Sequence, residues 1–330
     1  MAPNAVSVVI TVLNEASTID DLLDSLAAQT RRPDEVVLVD AGSTDGSAER
    51  AEQVRTRLPL QIVVEPTASR GRGRNVGVSL ARYDLIAVSD AGVRLEPHWL
   101  ERLIAPLDAT EPAADVVAGF FLPDPRSPWE LALGATTLPR LSDVRPDRFL
   151  PSSRSVAFRR SAWAAVGGYP EWLNYCEDLV FDLALREAGC RFAWAPDAIV
   201  HFRPRRSPAA FAAQYFNYAR GDGEAGLWLG RHAIRYATYL LAPALVAAGW
   251  QSAWVWLGAG LAAAAYVRRP YARLLPELRG HDARDRLEAL AWVPAVRLIG
   301  DLAKMAGYPS GLLRRLRRGW TLPETRPIEV

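Results

Sequence analysis

Residues 83–92 read YDLIAVSDAG, and the apolar run Leu85-Ile86-Ala87-Val88 stops abruptly at Ser89-Asp90-Ala91-Gly92. A short run with branched side chains, ended by small and polar residues, reads as a strand buried on both faces. In parallel α/β sheets ligands gather at the carboxyl ends of the strands. This places the Asp90 carboxylate where such a sheet binds its ligand. Taken alone, Asp90 reads equally well as the cap of a turn, because aspartate is a common turn residue.

Upstream, the same pattern repeats. Residues 6–12 form a β-rich run that ends in Leu13-Asn14-Glu15. Ser17 then suits a helix N-cap, and Ile19, Leu22, Leu23 and Leu26 follow at helical spacing. A second strand, 35–39, ends in Asp40-Ala41-Gly42-Ser43-Thr44-Asp45-Gly46, before a helix over about 47–58 and a third strand over 60–64. Ser69-Arg70-Gly71-Arg72-Gly73-Arg74 reads as a loop leading into a helix over 75–81. Strands alternating with helices imply a mostly parallel sheet with right-handed crossovers. Asp40 can accept hydrogen bonds from a nucleobase imide or a ribose hydroxyl, and Arg70, Arg72 and Arg74 can neutralise a diphosphate through their fixed fork of donors. No GxGxxG follows the first strand and no GxxxxGK[ST] occurs anywhere. Dehydrogenase and P-loop readings weaken accordingly.

Downstream, the pattern predicts a helix over 96–107, a strand over 115–121, and a Pro-, Arg- and Asp-rich segment with helix near 129–138. A strand near 158 and a short helix over 161–166 come next. The helix that starts near Asp178 and stops at Gly189 is preceded by Glu177, so two adjacent acids open a mostly apolar helix. Asp178 there has an ordinary reading as an N-cap. Short strands follow at 191–194 and 198–202, the second closed by His201. QYFNYAR, 214–220, reads as an amphipathic helix suited to a membrane surface.

The chain has 330 residues, half of them hydrophobic, and a net charge of +2. A disordered chain is excluded, and no global charge favours nucleic acid. Two cysteines, Cys176 and Cys190, make no disulfide framework and no zinc spacing, which fits a reducing compartment. No basic segment precedes the first apolar run, so a secretory signal is not expected. Between Tyr236 and Val267 no residue is charged over 32 positions, and Arg231, Arg235, Arg268 and Arg269 flank the run. A break around Gly249-Trp250-Gln251-Ser252 suggests two helices forming a membrane hairpin with both ends on the cytoplasmic side. Its arms are short enough for either tight spans or a re-entrant pair. Residues 287–302 and 312–318 read as basic amphipathic helices in an anionic headgroup layer.

Three motifs, SVVITVLNEASTIDDLLDSLAAQT, EVVLVDAGSTDGS and GRGRNVGVSLARYDLIAVSDAG, resemble in order and spacing the N-terminal half of family 2 glycosyltransferases, inverting enzymes of GT-A fold. The resemblance implies a nucleotide-sugar donor. It places Thr11, Asn14 and Glu15 at the nucleotide-binding loop, Asp40 on the base, and Arg74 and Asn75 near the diphosphate. Asp90 matches the first acid of the DxD-type motif that holds a divalent cation, Mg²⁺ or Mn²⁺. Gly92 stands where the family has a second carboxylate, which makes His201 a candidate metal ligand beside Asp90. Glu177 and Asp178 match the pair that supplies the general base, with Asp178 as base and Glu177 and Arg154 on the acceptor side.

The expected architecture is a GT-A domain over 1–225, divided into a nucleotide-binding half (1–92) and an acceptor half (93–225), followed by a membrane hairpin and amphipathic helices over 226–330. The expected protein is a cell-membrane enzyme with its catalytic domain in the cytoplasm. It would move a sugar to the hydroxyl of a glycan or lipid-linked acceptor. One alternative is a polyprenyl-phosphate glycosyl synthase, whose acceptor phosphate needs no base. Another is an inactive GT-A scaffold or binding subunit, favoured by Gly92.

Overall fold

The structure is a computed structural model and describes residues 5–109, 113–250 and 252–319. The chain divides into two compact units, Met1–Asp124 with Leu141–Phe202, and Pro125–Arg140 with Arg203–Val330.

The first unit contains β1 (Val6–Val12), α1 (Ile19–Ala27), β2 (Glu35–Asp40), α2 (Ser47–Gln53), β3 (Leu60–Val64), α3 (Arg70–Leu80) and β4 (Leu85–Asp90). It continues with β5 (Val93–Leu95), α4 (Trp99–Asp108) and β6 (Val116–Pro123). After α5 (Pro128–Thr137), which belongs to the second unit, come β7 (Val156–Arg159), α6 (Arg160–Ala165), α7 (Glu177–Glu187) and β8 (Phe192–Phe202). One eight-stranded sheet runs in the order β3-β2-β1-β4-β7-β6-β8-β5. β1 pairs in parallel with β2 and β4, and β2 with β3; β7 is antiparallel to both its neighbours. Side chains of β1 alternate faces as strand geometry requires. Val8 and Ile10 pack with Leu22, Leu26, Trp99 and Leu103, while Val9 packs with Val78, Phe181 and Leu185. Helices α1, α2 and α4 therefore cover one face, and α3, α6 and α7 the other.

Several boundaries differ from expectation; α2 ends at Gln53, α4 starts at Trp99, and two further differences bear on the site. Residues 70–74 are the first turns of α3, not a loop, with the Ser69 hydroxyl accepting the Arg72 N–H at 3.2 Å. Glycine normally weakens a helix, but here it lets α3 lie against the sheet: a Cβ at Gly73 would sit 3.0 Å from Thr11 Cγ2. The two short strands expected near 191–202 are one strand, β8, whose pairing with β6 shifts register between Ala118 and Phe120.

The second unit is helical: α5, α8 (Pro208–Ala225), α9 (Leu229–Gly249), α10 (Ala253–Glu277) and α11 (Ala283–Arg317). Val293 and Val296 of α11 pack with Leu131 and Phe211 of α5 and α8. Gly307 and Gly311 face the carbonyls of Phe216 and Arg220, so the two backbones touch directly. Residues 214–220, 287–302 and 312–318 were expected at a lipid surface. Ala289, Val293 and Val296 enter this helix-to-helix core, with Tyr215 packed against it, while Leu287, Leu298, Leu302, Leu313 and Leu316 stay exposed. The hairpin of α9 and α10 is present. However, no helix among the described residues is long and apolar enough to cross a membrane. Arginines begin α9, and alanine and glycine dilute the hydropathy of both arms.

Candidate active site

The parallel register brings the polar strand ends to one edge. Thr11 lies beside Asp90, and Val12 beside Asp40. The loops after β1 and β2 are laced together. The Asn14 N–H donates to Ser43 Oγ (2.9 Å), the Thr44 N–H to Asn14 Oδ1 (3.0 Å), and the Glu15 N–H to Ser47 Oγ (2.8 Å). Asn14 holds this shape at φ 56°, a left-handed conformation that asparagine tolerates better than most residues. Asp40 is buried and accepts both the amide (3.0 Å) and the hydroxyl (2.6 Å) of Ser43 on one carboxylate oxygen. Asp45 accepts the Ser47 hydroxyl and the Ala16 amide, which hold its carboxyl below the usual range.

Arg74 is the hub. Its side chain is 2% exposed. One terminal nitrogen donates to Asp90 Oδ1 at 2.9 Å and the other to Glu177 Oε1 at 2.7 Å. The guanidinium carbon also sits 5.3 Å from the centre of the Tyr169 ring. Burial works against the charge on Arg74, but Asp90 and Glu177 outweigh it and raise its pKa. Burial likewise opposes ionisation of Asp90, and Arg74, Arg154 and Arg70 prevail, holding it below the usual carboxylate range. Asn75 has a different task. Its amide donates to the Tyr169 carbonyl (2.8 Å) and to Glu171 (3.0 Å), and its oxygen accepts from Trp163 Nε1 (3.0 Å) and the Tyr169 N–H (2.8 Å). Both its side-chain donors are engaged in these contacts.

The start of α7 follows a left-handed residue, Cys176, at φ 65°. Glu177 points inward to Arg74 and is buried; burial first, then Asp178, push its pKa up against the pull of Arg74. Asp178 is half-buried, its Oδ1 accepting the Leu179 N–H at 2.9 Å. One turn on, Asp182 is buried, its Oδ2 has no hydrogen-bond partner, and burial, then Asp178, raise its pKa well above the usual value. The folded chain thus holds a proton that the unfolded chain releases above about pH 4. Stability should fall as pH rises from there toward the raised pKa, by at most about 1.4 kcal/mol per pH unit. Asp182→Asn copies the neutral acid, so it should melt higher than the parent at pH 8 and nearly level at pH 4. Equal displacement at both pH values would contradict this.

At the end of β4, Gly92 supplies no side chain. A Cβ built there would lie 3.6 Å from Oε2 of Glu15, whose carboxylate also accepts the Thr18 hydroxyl at 2.7 Å. His201 lies opposite Arg94 in the β5–β8 pair and bonds Glu96 through Nε2 at 3.1 Å. Among the described residues no group of three or more His, Cys, Asp or Glu could hold a metal ion. Arg154 precedes β7. Its carbonyl accepts the Ser89 hydroxyl at 3.0 Å, and its guanidinium lies 4.5 Å from the centre of the Phe202 ring. Tyr169 and Asp182 join the site without having been expected there. For Asp182 the signal was present: an acid four residues after Asp178, on an otherwise apolar helix face.

Residues 7–164 match the description Glycosyl transferase family 2. The chain is 29% identical over 228 residues to the succinoglycan biosynthesis protein ExoA of Rhizobium meliloti, covering 65% of this chain and 68% of that protein. In fold it resembles mannosyltransferase PcManGT of Pyrobaculum calidifontis, solved with GDP-Man and Mn²⁺, at a TM-score of 0.53 and 19% identity over 96% of this chain and 88% of that one. It also resembles S. aureus TarS 1-349, solved with UDP-GlcNAc, at 0.52 and 18% over 96% and 92%. Over residues 7–164 the chain is thus similar to family 2 glycosyltransferases, and the two solved structures show a likeness of fold.

Proposed function

We propose that the first unit transfers a sugar from a nucleotide-sugar donor to an acceptor hydroxyl with inversion, and that Asp178 is the general base. The observation that carries this reading is the Asp90–Arg74–Glu177 bridge. It ties the end of the central strand to the start of α7 and engages Glu177, while Asp178 beside it stays half-buried. The base then takes the proton of the acceptor hydroxyl as its oxygen attacks the anomeric carbon. The bond from that carbon to the diphosphate oxygen breaks, and the nucleoside diphosphate leaves. Arg70 and Arg154, whose charges act on Asp90, supply positive potential for the departing group. The lipid-linked or cell-envelope nature of the acceptor is part of the proposal and follows from no motif.

Among the described residues no group of side chains builds a cation site of its own. Asp90 is one carboxylate, already paired with Arg74; Gly92 offers none; His201 is engaged by Glu96. A divalent ion, such as the Mn²⁺ in the PcManGT complex, would rest on donor phosphate oxygens and water, so the transfer is written without it.

A melting screen against UDP-, GDP- and dTDP-sugars, each with and without Mg²⁺ or Mn²⁺, tests the donor reading. A ligand at a hundred times its Kd should stabilise the chain by about 2.7 kcal/mol, a rise of several degrees. No shift with any nucleotide sugar would overturn donor binding.

A further inference from the structure

The hairpin of the second unit carries more apolar surface than any function so far uses. Every residue from 240 to 248 is exposed, and from 256 to 266 only Ala259 is partly covered. Trp250 and Trp254 are 85% and 79% exposed. The ring of Trp256 lies over Gly249, which holds the two arms together at the tip. A helix in water normally keeps one polar face, and one that is apolar all round is a helix surrounded by apolar matter. A second copy of the chain, or a protein groove, would cover one side of this hairpin. A bilayer covers all of them.

Charge sorts to the other end. Tyr236 to Val267 holds no charged residue, while Arg231, Arg268 and Arg269 stand exposed at the base. Arg235 is also at the base, 2.7 Å from Asp301. Arginines at the ends of an apolar segment place their heads among anionic lipid phosphates. The length excludes a straight crossing. The uncharged parts of α9 and α10, 236–249 and 253–267, are each about 21–22 Å long, against a hydrocarbon core of about 30 Å. An upright hairpin would leave its turn, with Ser252 and open backbone groups, inside hydrocarbon, where such groups find no partner. Lying aslant returns the turn to the headgroup boundary, the level that tryptophan prefers.

We propose that residues 236–267 are a monotopic anchor, sunk aslant into one leaflet of an anionic bilayer, with the base arginines among the headgroups and Trp250, Trp254 and Trp256 at the acyl boundary. The proposal stands independently of the transfer reading.

The test uses the purified full chain and sealed vesicles of phosphatidylcholine with phosphatidylglycerol. The chain should co-sediment with them. Lipids brominated near the headgroup should quench part of its tryptophan emission, and that part should vanish in W250F/W254F/W256F, which stays bound. W250S/W254S, which leaves Trp256 on Gly249, should weaken binding sharply while its melting temperature holds. R268Q/R269Q should weaken binding to the anionic vesicles roughly thirty-fold, at about 1 kcal/mol per arginine. Iodide added outside should still reach the tip tryptophans. Absence of co-sedimentation, with a dimer that shields these tryptophans in solution, would overturn the proposal. So would quenching only by iodide trapped inside, because the tip would then have crossed.

Discussion

Arg74→Met should cost the first unit about 3–5 kcal/mol, the range for removing one partner from a buried ion pair, and so lower its melting temperature by roughly 6–20 °C. Methionine fills much of the same space, so the loss comes from charge and not from a cavity. Glu177, whose side chain is 5% exposed, would keep its carboxylate in a site that water does not reach. Asp90, 31% exposed, can recover some hydration and should contribute less. The double variant R74M/E177Q discriminates. Removing the stranded charge should recover a large share of the loss, so the two effects should be strongly non-additive. Arg74→Lys should fall between, because an ammonium is a point charge and cannot span Asp90 and Glu177 as a planar fork does. If R74M melts with the parent, the bridge is not what fastens α7 to the end of β4.

That bridge explains what the sequence could and could not disclose. β1, β2 and β4 were legible because a strand buried on both faces is a plain apolar run, and the residue that ends each run is the residue that reaches the site. Asp40 and Asp90 were found in this way. Arg74 was recognised as basic and adjacent, but not as buried. Its helix was hidden by Gly71 and Gly73, which in a sequence signal a loop and in the fold allow close approach to Pro170 and to Thr11 of β1, respectively. Asn75 was placed near the diphosphate by the resemblance; one residue along a helix turns the side chain by about 100°, here toward Tyr169 and Trp163. β5, only three residues long, left no periodic trace. In the tail, alternating apolar and basic residues fit a lipid surface and a helix-to-helix core equally well by pattern. The glycines at 307 and 311 carry the close backbone contact with α8, visible only once the two helices are placed together.

Asp178→Asn should lower transfer by 10²- to 10⁴-fold, the usual worth of a positioned general base, while the melting temperature and the response to nucleotide sugar stay near those of the parent. The expectation rests on a division of labour between neighbours. Glu177 and Asp178 are adjacent acids, yet Glu177 is turned inward onto Arg74, and Asp178 is the half-buried one. Glu177→Gln should therefore act through the bridge, with a loss of stability that Asp178→Asn lacks. The reading predicts a fall in kcat at unchanged donor affinity for D178N, because the lost interaction forms only as the acceptor proton moves. It also separates two chemistries. An acceptor phosphate is already an anion at neutral pH and needs no base, so a polyprenyl-phosphate synthase would keep most of its rate in D178N. Retained transfer with intact donor binding would move the assignment to that chemistry. A chain that binds nucleotide sugar and transfers nothing, in either form, would be a binding subunit instead.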